Sequence, residues 1–444
     1  MTKKLFAILA VLLVSVMAFA ACSSGAYNFT ALQDNPTADD AVANNGGTVV
    51  QKGKYTYFVN GAVVNSETNT FGSVVKGAIA RVPTADIGKE DAKIEIVVPK
   101  IFYAADASSA GFYVFGTTLY YTTPSGDRDK NGNVLSSRLD FMSVNLDGTG
   151  TKKLFTVENN AVVFGCFEDA ESNVRINYVD KGTIYSYNVA TNAKTEVAKD
   201  VTSSTLDRKT GEVYFTENVT FRDYTNAEIN RNYNVLKKAD VTGTVTTVKK
   251  GIAENAPEDS YGDKYSVVKA ANAKVYYTLT NTETSKNGLY EYDDATKAER
   301  KLSETGMTSF ETYQSGIVYV DSNSGFLTYL EKAASGYKTV AISKASGATL
   351  LCVKGDEAYY VASNILYRAD LTTERKESVA LTKSTQTTSW ATFQLLGDKV
   401  FFFNNSATLS NYLYYATTDG DGKIKETRLA ILTEKDAKTE KEGK

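Results

Sequence analysis

Val275-Tyr276-Tyr277-Thr278, followed ten residues on by Gly288-Leu289-Tyr290-Glu291-Tyr292-Asp293, is the stretch on which the fold turns. Successive residues of a strand point to opposite sides of their sheet, so the Tyr276-Tyr277 pair sets a large ring on each face. A sheet built this way must be covered on both sides. The second run ends in an aspartate, a residue whose side chain closes tight turns. One such pair of strands proves little, but this one recurs. Ala358-Tyr359-Tyr360-Val361 precedes Ile365-Leu366-Tyr367-Arg368-Ala369-Asp370-Leu371, and Val400-Phe401-Phe402-Phe403 precedes Tyr412-Leu413-Tyr414-Tyr415-Ala416. Gly116-Thr117-Thr118-Leu119-Tyr120-Tyr121-Thr122 precedes Leu139-Asp140-Phe141-Met142-Ser143-Val144-Asn145-Leu146-Asp147-Gly148. Weaker copies begin at Tyr57-Phe58-Val59, Ile176-Asn177-Tyr178-Val179, Val213-Tyr214-Phe215-Thr216 and Ile317-Val318-Tyr319-Val320.

Aligned on the second aromatic, the copies fall at Phe58, Tyr121, Tyr178, Phe215, Tyr277, Tyr319, Tyr360 and Phe402. The last four are spaced by 42, 41 and 42 residues, the length that four short strands and their turns require. The expected fold is therefore all-β: a single β-propeller of four-stranded blades, with eight as the preferred count and seven next. A blade lies between two neighbours and wants apolar side chains on both faces, whereas most strands of a sandwich meet water on one side. A pair of β-sandwich domains is the competing architecture. The earlier spacings are irregular because Pro124 to Ser137 and Arg222 to Asn232 read as longer loops, which puts any functional elaboration in the N-terminal half.

The remaining segments follow from composition. Lys3 and Lys4, an apolar run from Leu5 to Phe19, and Ala20-Ala21 before Cys22 form a secretory signal peptide; the run is short for a membrane span and ends at a small-residue cleavage site. Phe19-Ala20-Ala21-Cys22 resembles the lipobox of bacterial lipoproteins, with Phe19 where Leu, Val or Ile is usual. The resemblance implies that Cys22 is lipidated by a diacylglycerol thioether and holds the mature chain to the outer face of the cell membrane. Expected boundaries are 1–21 for the signal peptide, 22–45 for a flexible tether, 46–432 for the propeller and 433–444 for a charged, disordered tail.

Removing residues 1–21 leaves 47 basic and 52 acidic residues, a net charge of −5. That balance gives no electrostatic footprint for nucleic acid or an anionic lipid surface. Attachment then rests on acyl chains, each buried CH₂ contributing about 0.8 kcal/mol. Histidine is absent, which removes Ser-His-Asp and Cys-His nucleophiles, histidine zinc sites and histidine proton shuttles. Cys166 and Cys352 match no metal-ligand spacing; two buried free thiols is the plainer reading, and a disulfide the other.

The Tyr-Tyr strand, the loop, and Leu-Tyr-Arg-Ala-Asp-Leu or Phe-Met-Ser-Val-Asn-Leu-Asp-Gly-Thr resemble bacterial propellers related to the YWTD propellers of the low-density-lipoprotein receptor and to TolB-like propellers. The likeness covers most of 46–432, though the Trp of YWTD is absent. It implies a propeller used for binding and carries no catalytic residues.

One loop has the makings of a metal site. Asp127, Asp129 and Asn131 supply oxygens at alternate positions with Gly132 at the turn, a spacing that lets a loop wrap a hard cation such as Ca²⁺. The twelfth position is Arg138 in place of a bidentate glutamate, and a solvated hairpin turn accounts for the same residues. Asp419-Gly420-Asp421-Gly422 reads as a turn, and Trp390 as either a core cap or a channel-mouth residue. The functional expectation is a monomeric, membrane-anchored, non-catalytic binding or scaffold protein for a protein, peptide or glycan ligand. The alternative is a carbohydrate-active propeller enzyme using paired carboxylates.

Overall fold

The computed structural model describes residues 30–429 except 61–76, 90, 101, 103–110, 133–134, 136–137, 159–162, 208–209, 223, 254, 257–260, 308, 334–335, 344–345, 373–377, 384, 386–392, 404–412 and 419–422. The segments expected as signal peptide and charged tail, with Cys22, Trp390 and Asp419 to Gly422, lie outside the described residues. Eight antiparallel sheets follow one another along the chain, and we name them blades 1–8: residues 42–98, 113–158, 163–198, 201–250, 264–303, 310–341, 349–380 and 394–428. Seven have four strands in sequence order; blade 1 has a fifth, the two-residue strand Val42–Ala43, beside its innermost strand. The only helical turns among the described residues are Thr84–Asp86 and Thr284–Lys286. The protein is an eight-bladed propeller, so the count of eight holds and the sandwich alternative falls.

All eight aligned aromatics sit on the second full strand of their blades. Each doublet divides between two seams. Tyr57 packs with blade 2 residues such as Phe112, Leu119 and Tyr121, while Phe58 packs with Phe401, Phe403 and Tyr415 of blade 8. Tyr276 faces Phe310 and Ile317 of blade 6, and Tyr277 faces Tyr214 and Leu236 of blade 4. In every blade the first residue of the pair looks to the following blade and the second to the preceding one. The pattern fills eight apolar cores, one in each seam. Burial of a ring on each side removes roughly 150–250 Å² per aromatic from water, which is why a strand carrying such a doublet must lie between two others. Two blades lack the first aromatic: Val318 stands there in blade 6, and in blade 3 Asn177, buried and donating from Nδ2 to Gly211 O at 2.9 Å.

Among the described residues no strand from one end of the chain completes the other's sheet; each blade is contiguous in sequence. Closure instead uses the apolar seam between blades 8 and 1 and a tight hairpin at the axis. Val42 and Ala43 pair with Lys52 and Gln51, Gly47 N–H donates to Asn44 O at 2.9 Å, and the turn reaches both neighbours. Asn44 Nδ2 donates to Leu395 O of blade 8 at 2.8 Å. Asn45 exchanges two bonds with Val114 of blade 2, at 3.1 and 2.7 Å.

Residues 32–45 differ from the tether expected of them. Leu32 N–H donates to Asp147 O, and its side chain lies against the blade 1–2 core. Arg81, fully buried, donates to Gln33 O at 2.6 Å and Asn35 Oδ1 at 2.5 Å, pairs with Glu95 at 2.8 Å and lies 4.2 Å from the Tyr55 ring centre. Lys52, also buried, donates from Nζ to Ala38 O at 2.8 Å and Asp40 O at 2.5 Å. The segment lacks apolar periodicity because two buried cations, rather than a hydrophobic stripe, hold it down.

Candidate binding face

Antiparallel order sorts the connections onto two faces. Turns between strands 1 and 2 and between strands 3 and 4 of a blade emerge on one face; turns between strands 2 and 3, and the links to the next blade, emerge on the other. We call the first the short-turn face and the second the loop face. On the short-turn face many connections are two residues long, such as Asn272-Ala273, both at positive φ (55° and 61°), the geometry of a tight hairpin turn. Among the described residues the loop face receives Ser125 to Gly132 of blade 2, Asn281 to Asn287 of blade 5 and, in the link from blade 4 to blade 5, residues 251–253, 255–256 and 261–263.

Recurring Asp and Asn side chains on the short-turn face are occupied as turn caps. Asp240 accepts backbone N–H bonds from Thr242 and Thr244 at 2.9 and 2.8 Å, Asn188 from Ala190 and Thr191, Asp293 from Ala295 and Thr296, and Asp370 from Thr372. Burial pushes the Asp240 carboxyl up, but these donors outweigh it and hold the group below its ordinary range. Asp169 is held low by Arg175 Nε at 2.6 Å and by Asn173. Asp207 Oδ2 reaches across a seam to Ala273 N–H at 2.7 Å.

A buried ionic group lies between blades 5 and 6. Glu291, buried, accepts from Arg300 at 2.9 and 3.1 Å, Lys274 at 3.1 Å and Tyr276 OH at 2.9 Å, and Arg300 continues to Ser315 O of blade 6. Desolvation works to raise the Glu291 carboxyl, yet the three donors win and lower it. Buried carboxylates with this many donors are ionised acceptors. Such a group serves as a seam rather than as an acid.

The loop singled out in blade 2 is a hydrogen-bonded turn. Asp129 Oδ1 accepts Asn131 N–H at 2.8 Å, Gly132 N–H donates to Asp129 O, and Leu135 N–H to Asp127 O. The Asp127 carboxylate lies 3.3 Å from Lys153 Nζ and 3.7 Å from Arg138 Nη1. Lys153 in turn meets buried Asp140 at 3.0 Å, and Thr156 Oγ1 donates to Asp140 at 2.7 Å. The structure does not bring Asp127, Asp129 and Asn131 around one point with further acids: among the described residues no group of three or more His, Cys, Asp or Glu could hold a metal.

Cys166 and Cys352 are free thiols on the first strands of blades 3 and 7. Burial raises both, Cys352 to about 12, so neither is a thiolate at neutral pH.

Sequence reasoning missed an arm. Arg222 to Asn232, read as a loop, continues the second and third strands of blade 4: Val213–Arg222 and Glu228–Ala239 stay paired out to Arg222 and Glu228. The first strand of the blade pairs only as far as Glu217. The five residues beyond project about 16 Å from the loop face at ~3.3 Å per residue. Tyr224 at the tip is 98% exposed, the most exposed large apolar side chain described. Tyr261, in the adjoining link to blade 5, is also exposed. The alternating Val219, Phe221, Ile229, Arg231 and Tyr233 was the available signal.

No protein-family model and no curated protein matches this chain. Solved structures resemble the chain at low identity. Dipeptidyl peptidase 4 of Porphyromonas gingivalis is 11% identical, with a TM-score of 0.46 over 92% of this chain and 61% of that one. The β-propeller domain of the Trilobed protease from Pyrococcus furiosus is 10% identical, with a TM-score of 0.38 over 88% and 98%. An oligogalacturonate lyase in complex with manganese is 12% identical, with a TM-score of 0.32 over 91% and 86%. The chain spans less than two thirds of the peptidase's length, and these likenesses speak to fold alone.

Proposed function

We propose that this chain is a lipid-anchored, extracytoplasmic binding protein that uses the loop face of its propeller to hold a protein, peptide or glycan, without catalysis and as a monomer. The observation that carries the reading is the division of labour between the faces. The short-turn face is made of tight turns capped by their own side chains, whereas the projecting arm with Tyr224 and the exposed Tyr261 stand on the loop face. Loops on a rigid scaffold are where binding residues concentrate, and an exposed aromatic is a common anchor at interfaces. Cys22 supplies the attachment in this reading.

The test is glycan- and peptide-array binding by residues 30–444, followed by titration of any ligand found. A ligand whose affinity drops on Tyr224→Ser or Tyr261→Ser supports the proposal. A ligand that is cleaved during the titration, or one that binds equally well to both variants, counts against it. Calcium at Asp127, Asp129 and Asn131 is a separate proposal. It requires Asp127 to exchange Lys153 and Arg138 for the ion, so binding should raise the melting temperature by linkage. An unchanged melting temperature in millimolar Ca²⁺ ends that proposal.

A further inference from the structure

The path of residues 30–47 gives the ring a direction. The segment crosses the short-turn face over blades 1 and 2: Leu32 bonds the turn at Asp147, Asp34 pairs with Lys54 in the first turn of blade 1, and Gly53 N–H donates to Ala41 O at 3.1 Å. It then enters the axis as the hairpin that meets blades 8 and 2. Seven residues lie between Cys22 and Thr30, and the eight Cα steps from one to the other span at most about 28 Å when fully extended.

We infer that the short-turn face at blades 1 and 2 is the surface held against the membrane, and that the blade 4 arm marks the pole farthest from it. This rests on the lipid anchor proposed above. The magnitudes decide the orientation. Strands of six or seven residues make the ring roughly 20–23 Å thick between turns, before the arm adds its ~16 Å. To lay the loop face on the bilayer, the tether would have to run outward to the rim and then down this whole thickness, using nearly all of its reach with none left to enter the lipid. Blade 4 is also well around the ring from blades 1 and 2, so tipping the ring toward its anchored edge lifts the arm further. The partner that meets Tyr224 is accordingly a soluble or facing-surface polypeptide or glycan, and not a component of the bilayer that carries the anchor.

The experiment uses the full, lipidated chain in phosphatidylcholine vesicles that contain a lipid with a fluorescence-quenching headgroup. One variant carries a fluorophore at Thr151→Cys, exposed beside the Asp147 turn, and another at Thr282→Cys, exposed on the loop face of blade 5; the parent chain gives the background from Cys166 and Cys352. The expected result is loss of fluorescence at position 151 and none at 282. The mass of the mature chain reports separately whether Cys22 bears the diacylglycerol group. A lipidated chain quenched at 282, or equally at both positions, overturns the orientation and leaves the anchor standing. An unmodified Cys22 with no vesicle binding overturns the anchor and this inference together.

Discussion

On the short-turn face Asp240 closes its turn with two backbone N–H bonds, Asp207 ties blade 4 to blade 5, and Arg81 and Lys52 lie buried beneath residues 33–40. On the loop face the blade 4 arm leaves its sheet behind, and Tyr224 at its tip is 98% exposed. The same strands run between both faces, so the contrast is not one of scaffold. Both faces cap their turns with their own side chains, as Asp240 does on the first and Asp129 and Asp321 on the second. The contrast lies in what protrudes: tight capped turns contribute stability and present little to a ligand, whereas an arm that carries an exposed aromatic away from the sheet has the reverse character. Substitutions on the first should move stability, and those on the second should move binding.

Arg81→Met should produce the largest effect. Removing the guanidinium orphans Gln33 O and Asn35 Oδ1 and leaves Glu95 without its buried partner. Breaking a buried pair from one side costs about 3–5 kcal/mol. Urea unfolding should show the loss, and limited proteolysis should cut within 31–41 where the parent resists. A variant as stable as the parent would mean that the segment is not fixed by this cation. Next in size is a pH effect. Glu291 has a lowered carboxyl in the folded chain, so its contribution is present above the unfolded value near 4.5 and is lost as pH falls through the folded one. The urea midpoint should decline on acidification below that point, and Glu291→Gln should be less stable at neutral pH with a flatter decline. Equal pH profiles would remove Glu291 from the account.

How much of this was legible in the sequence depends on the kind of force at each place. The doublets at Tyr120-Tyr121 or Phe401-Phe402 announced themselves because ring burial on two faces leaves an alternating, repeated imprint, and all eight aligned positions fall on equivalent strands. The latch at residues 32–40 left none. Arg81 and Lys52 are single cations in strand sequences, and a polar stretch that donates and accepts only through backbone and short side chains has the composition of a tether. The arm was hidden for another reason. Tyr224, Asn226 and Arg231 look like loop residues, and only pairing from Thr220 with Asn230 to Arg222 with Glu228 shows a hairpin. The Asp127 spacing suggested a cation site, but spacing does not report the neighbours that converge from elsewhere, here Lys153 and Arg138.

Smaller effects separate the faces more finely. Asp240→Ala removes the acceptor of two backbone N–H groups and the Thr242 hydroxyl, and should cost about 1 kcal/mol in a turn that water still reaches. It should leave ligand affinity unchanged, as a calorimetric titration beside the urea curve would show. A loss of affinity without a loss of stability would place ligand on the short-turn face and reverse the comparison.

Tyr224→Ser sets the opposite case. Its ring touches so little of the protein that unfolding free energy should stay within about 0.5 kcal/mol of the parent, as for other surface positions. Arg222 bonds to Asn226 O and Glu228 close the arm below it without help from the ring. If the arm is a contact element, the same change removes the exposed tyrosine at its tip, and central aromatic anchors carry roughly 2 kcal/mol or more of a binding energy, near thirtyfold in affinity. Unchanged stability with weakened binding is thus the signature of a side chain kept outside the fold for a partner. Weakened stability would show instead that Tyr224 packs against its own chain, and the division between the two faces would fail where it is drawn most sharply.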